Sequence, residues 1–367
     1  MRILISDYHA GCQMWQKALL EELGHTVDIL SFSGHTYLLT KQTHSISLTN
    51  DTIQRANISR ILPIINSGDI EYLSNTYDTA IVSFPPSFYI FFENISFRYP
   101  LIVNCGHRLH IHSNEPNTVV NKLCIDTLSN KVKLCTMSTY DKEYIQHYTG
   151  LSAIELHVTC FHIPLNLSYK PSREEILIGP AHVSYIEPFS SFDAINSQGH
   201  KYGLKFAKIK DLYPNYSYSD LVNHKAVVLF PYSAFSISMV ELYELGIPMF
   251  VPSPRLVVEH TLMKDAALYP YYTSQENMHK FDIAHPDSPH RYSPNSYNKD
   301  DMLYWQQFTF FNTRKHIIYW DTVDDLFTKL NTTDLHAVST AMIEETKVFR
   351  QQQLDAWRTL LDSLQPR

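Results

Sequence analysis

The chain has 367 residues, 44% of them hydrophobic, and a formal net charge of −7. Single cores rarely grow past roughly 250–300 residues, so this length calls for two domains, and the apolar content excludes a disordered chain. The acidic balance, without any lysine- or arginine-rich block, excludes a general nucleic-acid binder.

The chain runs straight into a strand pattern at Arg2-Ile3-Leu4-Ile5-Ser6, with no basic-then-apolar leader before it. The loop Asp7-Tyr8-His9-Ala10-Gly11 follows, then an amphipathic helix over 12–23 with Trp15, Leu19, Leu20 and Leu23 on one face. Gly24 closes it and His25–Leu30 is the next strand, completing a βαβ unit with the usual right-handed crossover. Further strands are expected at Thr79–Ser83, Pro100–Asn104 and Val132–Thr136. The run Phe88-Tyr89-Ile90-Phe91-Phe92 is the closest approach to a membrane span, but Glu93-Asn94 stops it far short of the ~20 residues needed. Five cysteines, Cys12, Cys105, Cys124, Cys135 and Cys160, form no CxxC pair and read as reduced thiols in a cytoplasmic compartment. Sequons at Asn50, Asn57, Asn94, Asn166, Asn215 and Asn331 then read as accidents of composition.

Around 161–174 the pattern breaks into Phe161-His162-Ile163-Pro164 and Lys170-Pro171-Ser172-Arg173, which places a domain boundary there. The expected division is 1–165, 166–340, and a C-terminal helix within 341–367 that packs back toward the first domain. The second domain repeats the α/β order, with strands at Glu175–Gly179 and Gly203–Ala207 and a short helix at Tyr218–Asn223. Residues 269–300, rich in Pro, Tyr, Asn, Ser and His, read as a long surface loop or insertion. In the tail, Leu354, Trp357, Leu361 and Leu364 recur at helical spacing and leave an apolar face to bury.

The most informative stretch is Ala226–Pro252. Ala226-Val227-Val228-Leu229-Phe230 is an unbroken apolar run, suited to a strand buried on both faces. Ser233, Ser236 and Ser238 lead into a helix expected to start near Ser238, where Ser238-x-x-Glu241 has capping-box spacing. That places Glu241 in the first turn, beside the positive end of the helix dipole. Gly246 ends the helix, Pro248 cannot continue it, and a strand begins at Met249. A loop of small hydroxyl residues feeding a helix N-terminus suits a phosphate. The same pattern also describes an ordinary βαβ unit without a ligand.

Two successive α/β domains and a closing helix resemble a GT-B glycosyltransferase. The stretch above is similar to the donor segment of the family-4-like retaining enzymes. In that register Ser233 stands where the family has its first glutamate, Ala234–Ser238 at its Gly-Phe-Gly-Leu-Pro run, Glu241 at its second glutamate, and Gly246-Ile247-Pro248 at its closing turn. The resemblance implies two Rossmann-like domains facing a cleft, and transfer of a sugar from a nucleotide-sugar donor to a glycan or other acceptor hydroxyl without a bound metal. It implies that Glu241 accepts hydrogen bonds from the donor ribose, and that main-chain amides near Ser236, Ile237 and Ser238 face the donor phosphates. It also implies that the Gly11 loop approaches donor and acceptor, and that His107 stands near the sugar. Ser233 is a departure, because the family's acid there lies beside the transferred sugar.

Asp7 and His9, at the end of the first strand, are candidates for the general base that an inverting transfer needs, or else simple cap and turn residues. Candidates for a cation beside the diphosphate are Lys205, Lys208, Lys210 and Arg255. His182 falls in the loop expected to face the donor, or is a surface histidine. His107, His110 and His112 read as a solvated cluster rather than a metal site, because no acidic or cysteine motif accompanies them. Two other readings stand beside transfer: a non-catalytic nucleotide- or glycan-binding protein of the same fold, and a nucleotide-sugar epimerase.

Overall fold

A computed structural model describes residues 1–31, 67–106, 109, 116–164, 166–167, 169–179, 192–231, 233–264, 283–296 and 298–366. The chain divides into two units, one formed by 1–162, 279–291 and 351–367, the other by 163–278 and 292–350.

In the first unit β1 (Arg2–Asp7), β2 (Thr26–Ser31), β3 (Thr79–Val82), β4 (Leu101–Cys105), β5 (Val132–Thr136) and β6 (Ile154–Glu155) form one sheet in the order β2-β1-β3-β4-β5-β6. Every described pairing in it is parallel. Parallel strands must be covered on both faces, and the apolar runs of β1, β3 and β4 are buried accordingly. Helices α1 (Ala10–Glu22), α2 (Ser67–Thr76), α3 (Pro116–Leu128) and α4 (Thr139–Thr149) alternate with the strands, and a 3-10 helix spans Pro86–Phe92. The apolar run expected only to fall short of a membrane span is that 3-10 helix, and its seven residues are all buried.

α1 begins at Ala10, two residues earlier than the periodicity predicts, so Gly11 sits inside its first turn rather than in the loop. Gly24, at φ +84°, ends it with a left-handed residue that a side chain rarely tolerates. Trp15 is wholly buried against Trp357, with the ring centroids 6.2 Å apart and edge-on. Trp357 lies on the last helix, Leu335–Asp362, whose residues from 351 belong to the first unit.

The second unit holds β7 (Glu175–Gly179), β8 (Lys205–Lys208), β9 (Val227–Leu229), β10 (Met249–Pro252) and β11 (Ile318–Trp320), in the order β11-β10-β9-β7-β8. All four described pairings are parallel. Its helices are α5 (Phe192–His200), α6 (Ile209–Leu212), α7 (Tyr218–Leu221), α8 (Ile237–Glu244), α9 (Pro254–Lys264), α10 (Lys299–Gln306), α11 (Phe310–Thr313) and α12 (Val323–Thr332). The tail helix α13 (Leu335–Asp362) starts six residues ahead of the expected 341–367 segment. A core of Ile176, Ile178, Phe206, Val228, Phe230, Phe250, Trp320 and Phe327 packs between one sheet face and its helices.

Within the expected insertion at 269–300, the described residues 283–296 hold no helix or strand. Residues 265–282 lie outside the described residues, 283–291 belong to the first unit, and Lys299 already starts α10. All five cysteines are free thiols, four buried and Cys124 partly exposed. No described helix is long and apolar enough to cross a membrane.

Candidate functional site

In an open parallel sheet, ligands bind outside the carboxyl ends of the strands, at the point where the strand order reverses. In the second unit the chain leaves β7 one way to β8 and the other way to β9, β10 and β11, so its switch point lies between β7 and β9. Those strands run in register from Leu177 beside Val227 to Gly179 beside Leu229, and Phe230 N–H closes the edge on Gly179 C=O at 3.0 Å. The hydroxyl-rich loop emerges at that edge.

Within the loop each serine has a separate task. Ser233 is buried, and its hydroxyl donates to Phe235 C=O. Ser236, with extended backbone (φ −147°, ψ 154°), is the N-cap of α8 and accepts from Met239 N–H at 3.3 Å. Ser238 lies in the first turn, and its hydroxyl sits 3.1 Å from that of Ser236. The cap expected at Ser238 is therefore two residues earlier. No acidic residue occupies the first turn, and Glu241 stands about one turn into the helix. The capping box instead closes α7, between Ser217 and Asp220. A helix that starts at Ile237 leaves the amides of Ile237 and Ser238 ahead of any intrahelical acceptor, at the positive end of the dipole.

Glu241 is half-buried, and its Oε1 accepts from the Tyr218 hydroxyl at 2.8 Å. Tyr218 opens α7, the short helix legible in the sequence, but its contact with Glu241 was not. Twenty-three residues separate the two, and only the fold brings them together.

The basic candidates separate by strand end. Lys205 stands at the amino end of β8, exposed and paired with Glu175 Oε1 at 2.7 Å. The strand starts at Lys205 and not at Gly203, which puts this lysine at the opposite edge of the sheet from the serine loop. Lys208 ends β8 with its ammonium 4.6 Å from the Phe192 ring centroid, and Lys210 follows it, exposed, on α6 at the carboxyl edge. Arg255, after β10, pairs with Glu259 and Asp321, both at 3.1 Å. His182 and His107 lie outside the described residues.

The first sheet has its own switch point between β1 and β3, and Asp7 fastens it. The Asp7 carboxyl has no exposed surface: Oδ1 accepts from His9 N–H at 2.6 Å and Oδ2 from Phe84 N–H at 3.0 Å. Tyr8 N–H adds a main-chain bond to Phe84 C=O at 2.9 Å. Burial pushes the Asp7 carboxyl well above the usual carboxylate range, against the opposing pull of hydrogen bonds from His9, Phe84, Ser83 and Tyr8. Behind it, buried Gln16 donates to Ser83 Oγ at 2.6 Å and buried Gln13 to Asp7 C=O at 2.8 Å. His9 is exposed at the N-cap of α1, makes no side-chain cap bond, and sets its ring edge-on to Phe84 at 6.4 Å. Ser83 and Phe84 were not anticipated as site residues; the proline pair Pro85-Pro86 after a strand was the available signal.

Strand order and loop placement thus define a chain of two doubly wound parallel α/β units, each with its distinctive loop at the switch point. No protein-family model matches the chain, and no curated protein matches it in sequence. Among solved structures it is similar to the glycosyltransferase SnogD from Streptomyces nogalater, with a TM-score of 0.49, 10% identity, and 98% of this chain and 99% of that one covered. It is also similar to the calicheamicin glycosyltransferase CalG4, with a TM-score of 0.47, 10% identity and 98% of each chain covered. The spinosyn rhamnosyltransferase SpnG, complexed with thymidine diphosphate, gives 0.44 at 10% identity over 98% of this chain and all of that one. Likeness at this level leaves the functional reading to this chain's own strand order and loops.

Proposed function

We propose that the chain is a glycosyltransferase of the GT-B kind, moving a glycosyl group from a nucleotide-sugar to an acceptor hydroxyl. The observation that carries the reading is the second unit's switch point, where a hydroxyl-rich loop feeds the N-terminus of α8 with Glu241 one turn in. The free amides at that N-terminus suit a diphosphate, and a carboxylate suits the vicinal diol of a ribose. Lys210 at the same edge adds positive charge. Helix dipole and lysine together offset the leaving group's charge, in keeping with a transfer that needs no metal.

His9 then serves as general base in the first unit, where the acceptor is held. Its imidazole takes the proton of the acceptor hydroxyl as that oxygen bonds the anomeric carbon, the bond from that carbon to the phosphate oxygen breaks, and the nucleoside diphosphate leaves with the electron pair. One displacement inverts the anomeric configuration. Two features favour inversion over the retaining chemistry of the family-4-like enzymes: the exposure of His9, and a Ser233 hydroxyl turned inward to Phe235. Asp7 is the positioning residue behind His9, since it holds the His9 main chain and has no exposed surface of its own.

Calorimetric titration with UDP, GDP and TDP tests the donor site, and failure of every nucleotide to bind sinks the transferase reading. With a donor in hand, His9→Gln is expected to keep nucleotide affinity and lose transfer by roughly 10²–10⁴-fold, the usual share of a general base. Donor binding without hydrolysis or transfer across an acceptor screen would make the protein a binder instead.

A further inference from the structure

We propose that residues 283–291 are a pH-sensitive clasp, seated on helix α4 through His147 and released when that histidine takes a proton. The segment arrives from the part of the chain that otherwise builds the second unit, yet its contacts are made within the first. His285 N–H donates to His147 C=O at 2.8 Å. His147 Nδ1 lies 2.8 Å from Ser288 Oγ, and Ser288 in turn receives His290 N–H at 3.1 Å. His290 is buried and its Nε2 meets Glu143 Oε2 at 2.8 Å. The imidazoles of His147 and His290 stand 6.1 Å apart.

The seat for His285 is made by Gly150, the left-handed C-cap of α4 at φ +69°. A Cβ there would fall 2.5 Å from His285 Nδ1, so the position needs glycine for the backbone and for the ring above it. This segment therefore docks by specific contacts along one helix, not as a loose loop.

Acid acts on these contacts through His147. Its ring is buried at 3% exposure, and burial, with the neighbouring His290, holds its pKa down to about 4, against a weaker opposing hydrogen bond to the main chain of His290. A histidine whose pKa is depressed when docked favours docking at neutral pH and loses that contribution as pH falls from the ordinary histidine value toward 4. Taking the ordinary value of 6.5 for the undocked ring and about 4 for the docked one sets an upper bound of about twentyfold on the weakening from pH 7 to pH 5. Among the described residues, the other titratable and charged groups around the seat include Glu143 and Lys142 on α4, 3.8 Å apart, Tyr148, whose ring stands 4.7 Å from that of His147, and His285, Asp287, His290 and Arg291 on the segment. His290 Nε2 and Glu143 Oε2 form the second side-chain contact between the segment and α4.

The test is hydrogen exchange of the full chain at pH 7.5 and pH 5.0, corrected for the intrinsic pH dependence of exchange. Protection across 283–291 is expected to fall about tenfold or more at pH 5.0, while the amides of β1 and β4 keep theirs. His147→Asn retains a polar side chain but cannot titrate, and its protection of 283–291 is expected to be the same at both pH values. Ser288→Ala is expected to lower protection at both pH values. Unchanged protection in the wild type at pH 5.0 would overturn the proposal. So would an undiminished loss in His147→Asn, or simultaneous loss across the β1 and β4 amides.

Discussion

Glu241→Ala separates a ribose contact from a purely structural carboxylate. Tyr218 already occupies Oε1 at 2.8 Å, so only the remaining acceptor capacity of the carboxylate can be credited to a nucleotide. One hydrogen bond to a charged group contributes about 1.5–3 kcal/mol, which is roughly 10- to 150-fold in Kd. Calorimetric titration of whichever nucleotide binds the wild type should register that loss in Glu241→Ala. Tyr218→Phe should hold affinity or tighten it, because it frees an oxygen for the ligand. The 2′-deoxynucleotide supplies an independent check, since it should discriminate between wild type and Glu241→Ala less than the ribonucleotide does. Wild-type affinity in Glu241→Ala would refute the ribose contact. Glu241 would then serve the structure, its bond with Tyr218 included, and the stability losses of the two single variants would fail to add in the double.

Gly246→Ala is expected to destabilise the second unit by about 2–4 kcal/mol, combining a left-handed backbone with overpacking, and to lower its thermal midpoint. The residue sits at φ +70°, and a Cβ would lie 2.7 Å from Ile343 Cγ1. Arg350→Met removes the guanidinium that donates to the buried Glu244 carboxylate, from Nε at 3.0 Å and Nη2 at 2.8 Å, and is expected to cost about 3–5 kcal/mol. Adding Glu244→Leu should recover much of that loss in chemical denaturation, and a double variant no better than the single would refute the desolvation argument. Burial pushes the half-buried Glu155 carboxyl up, but His157, Thr139 and Lys142 overcome it and hold it at about 2. Its stabilising share is therefore present above the ordinary glutamate range and lost as pH falls from about 4.5 to about 2. His157→Ala should shrink that pH-dependent share in acid-unfolding titrations, modestly because solvent screens the pair.

The α/β order, most strands, and the helix between two buried strands at 226–252 were legible because they depend on local apolar patterning. At the serine loop and at β8, what failed locally failed by two residues. Three serines within six positions give the backbone several ways to start a helix, and Ser236 won while the Ser233 hydroxyl turned inward to Phe235. That shift moved Glu241 out of the first turn and into reach of Tyr218. A similar offset at β8 carried Lys205 to the amino edge and left Lys210 at the carboxyl edge.

Strand order was not legible, because it is set by pairings between residues far apart in the chain. Asp7 and Phe84 are 77 positions apart, and no window read along the sequence joins them. Once β1 lies beside β3, however, the same order that makes a switch point also buries the Asp7 carboxyl between two loops and leaves His9 outside it. The two residues, equivalent on the page as candidates for a base, are thus sorted by topology. One is a buried acceptor of main-chain hydrogen bonds, suited to fixing a loop, and the other an exposed imidazole at a helix start, suited to taking a proton. The pair therefore makes separable predictions. Asp7→Asn keeps an acceptor for one main-chain N–H and should lower transfer while leaving its pH profile in place. His9→Gln should remove the titration that the profile reports.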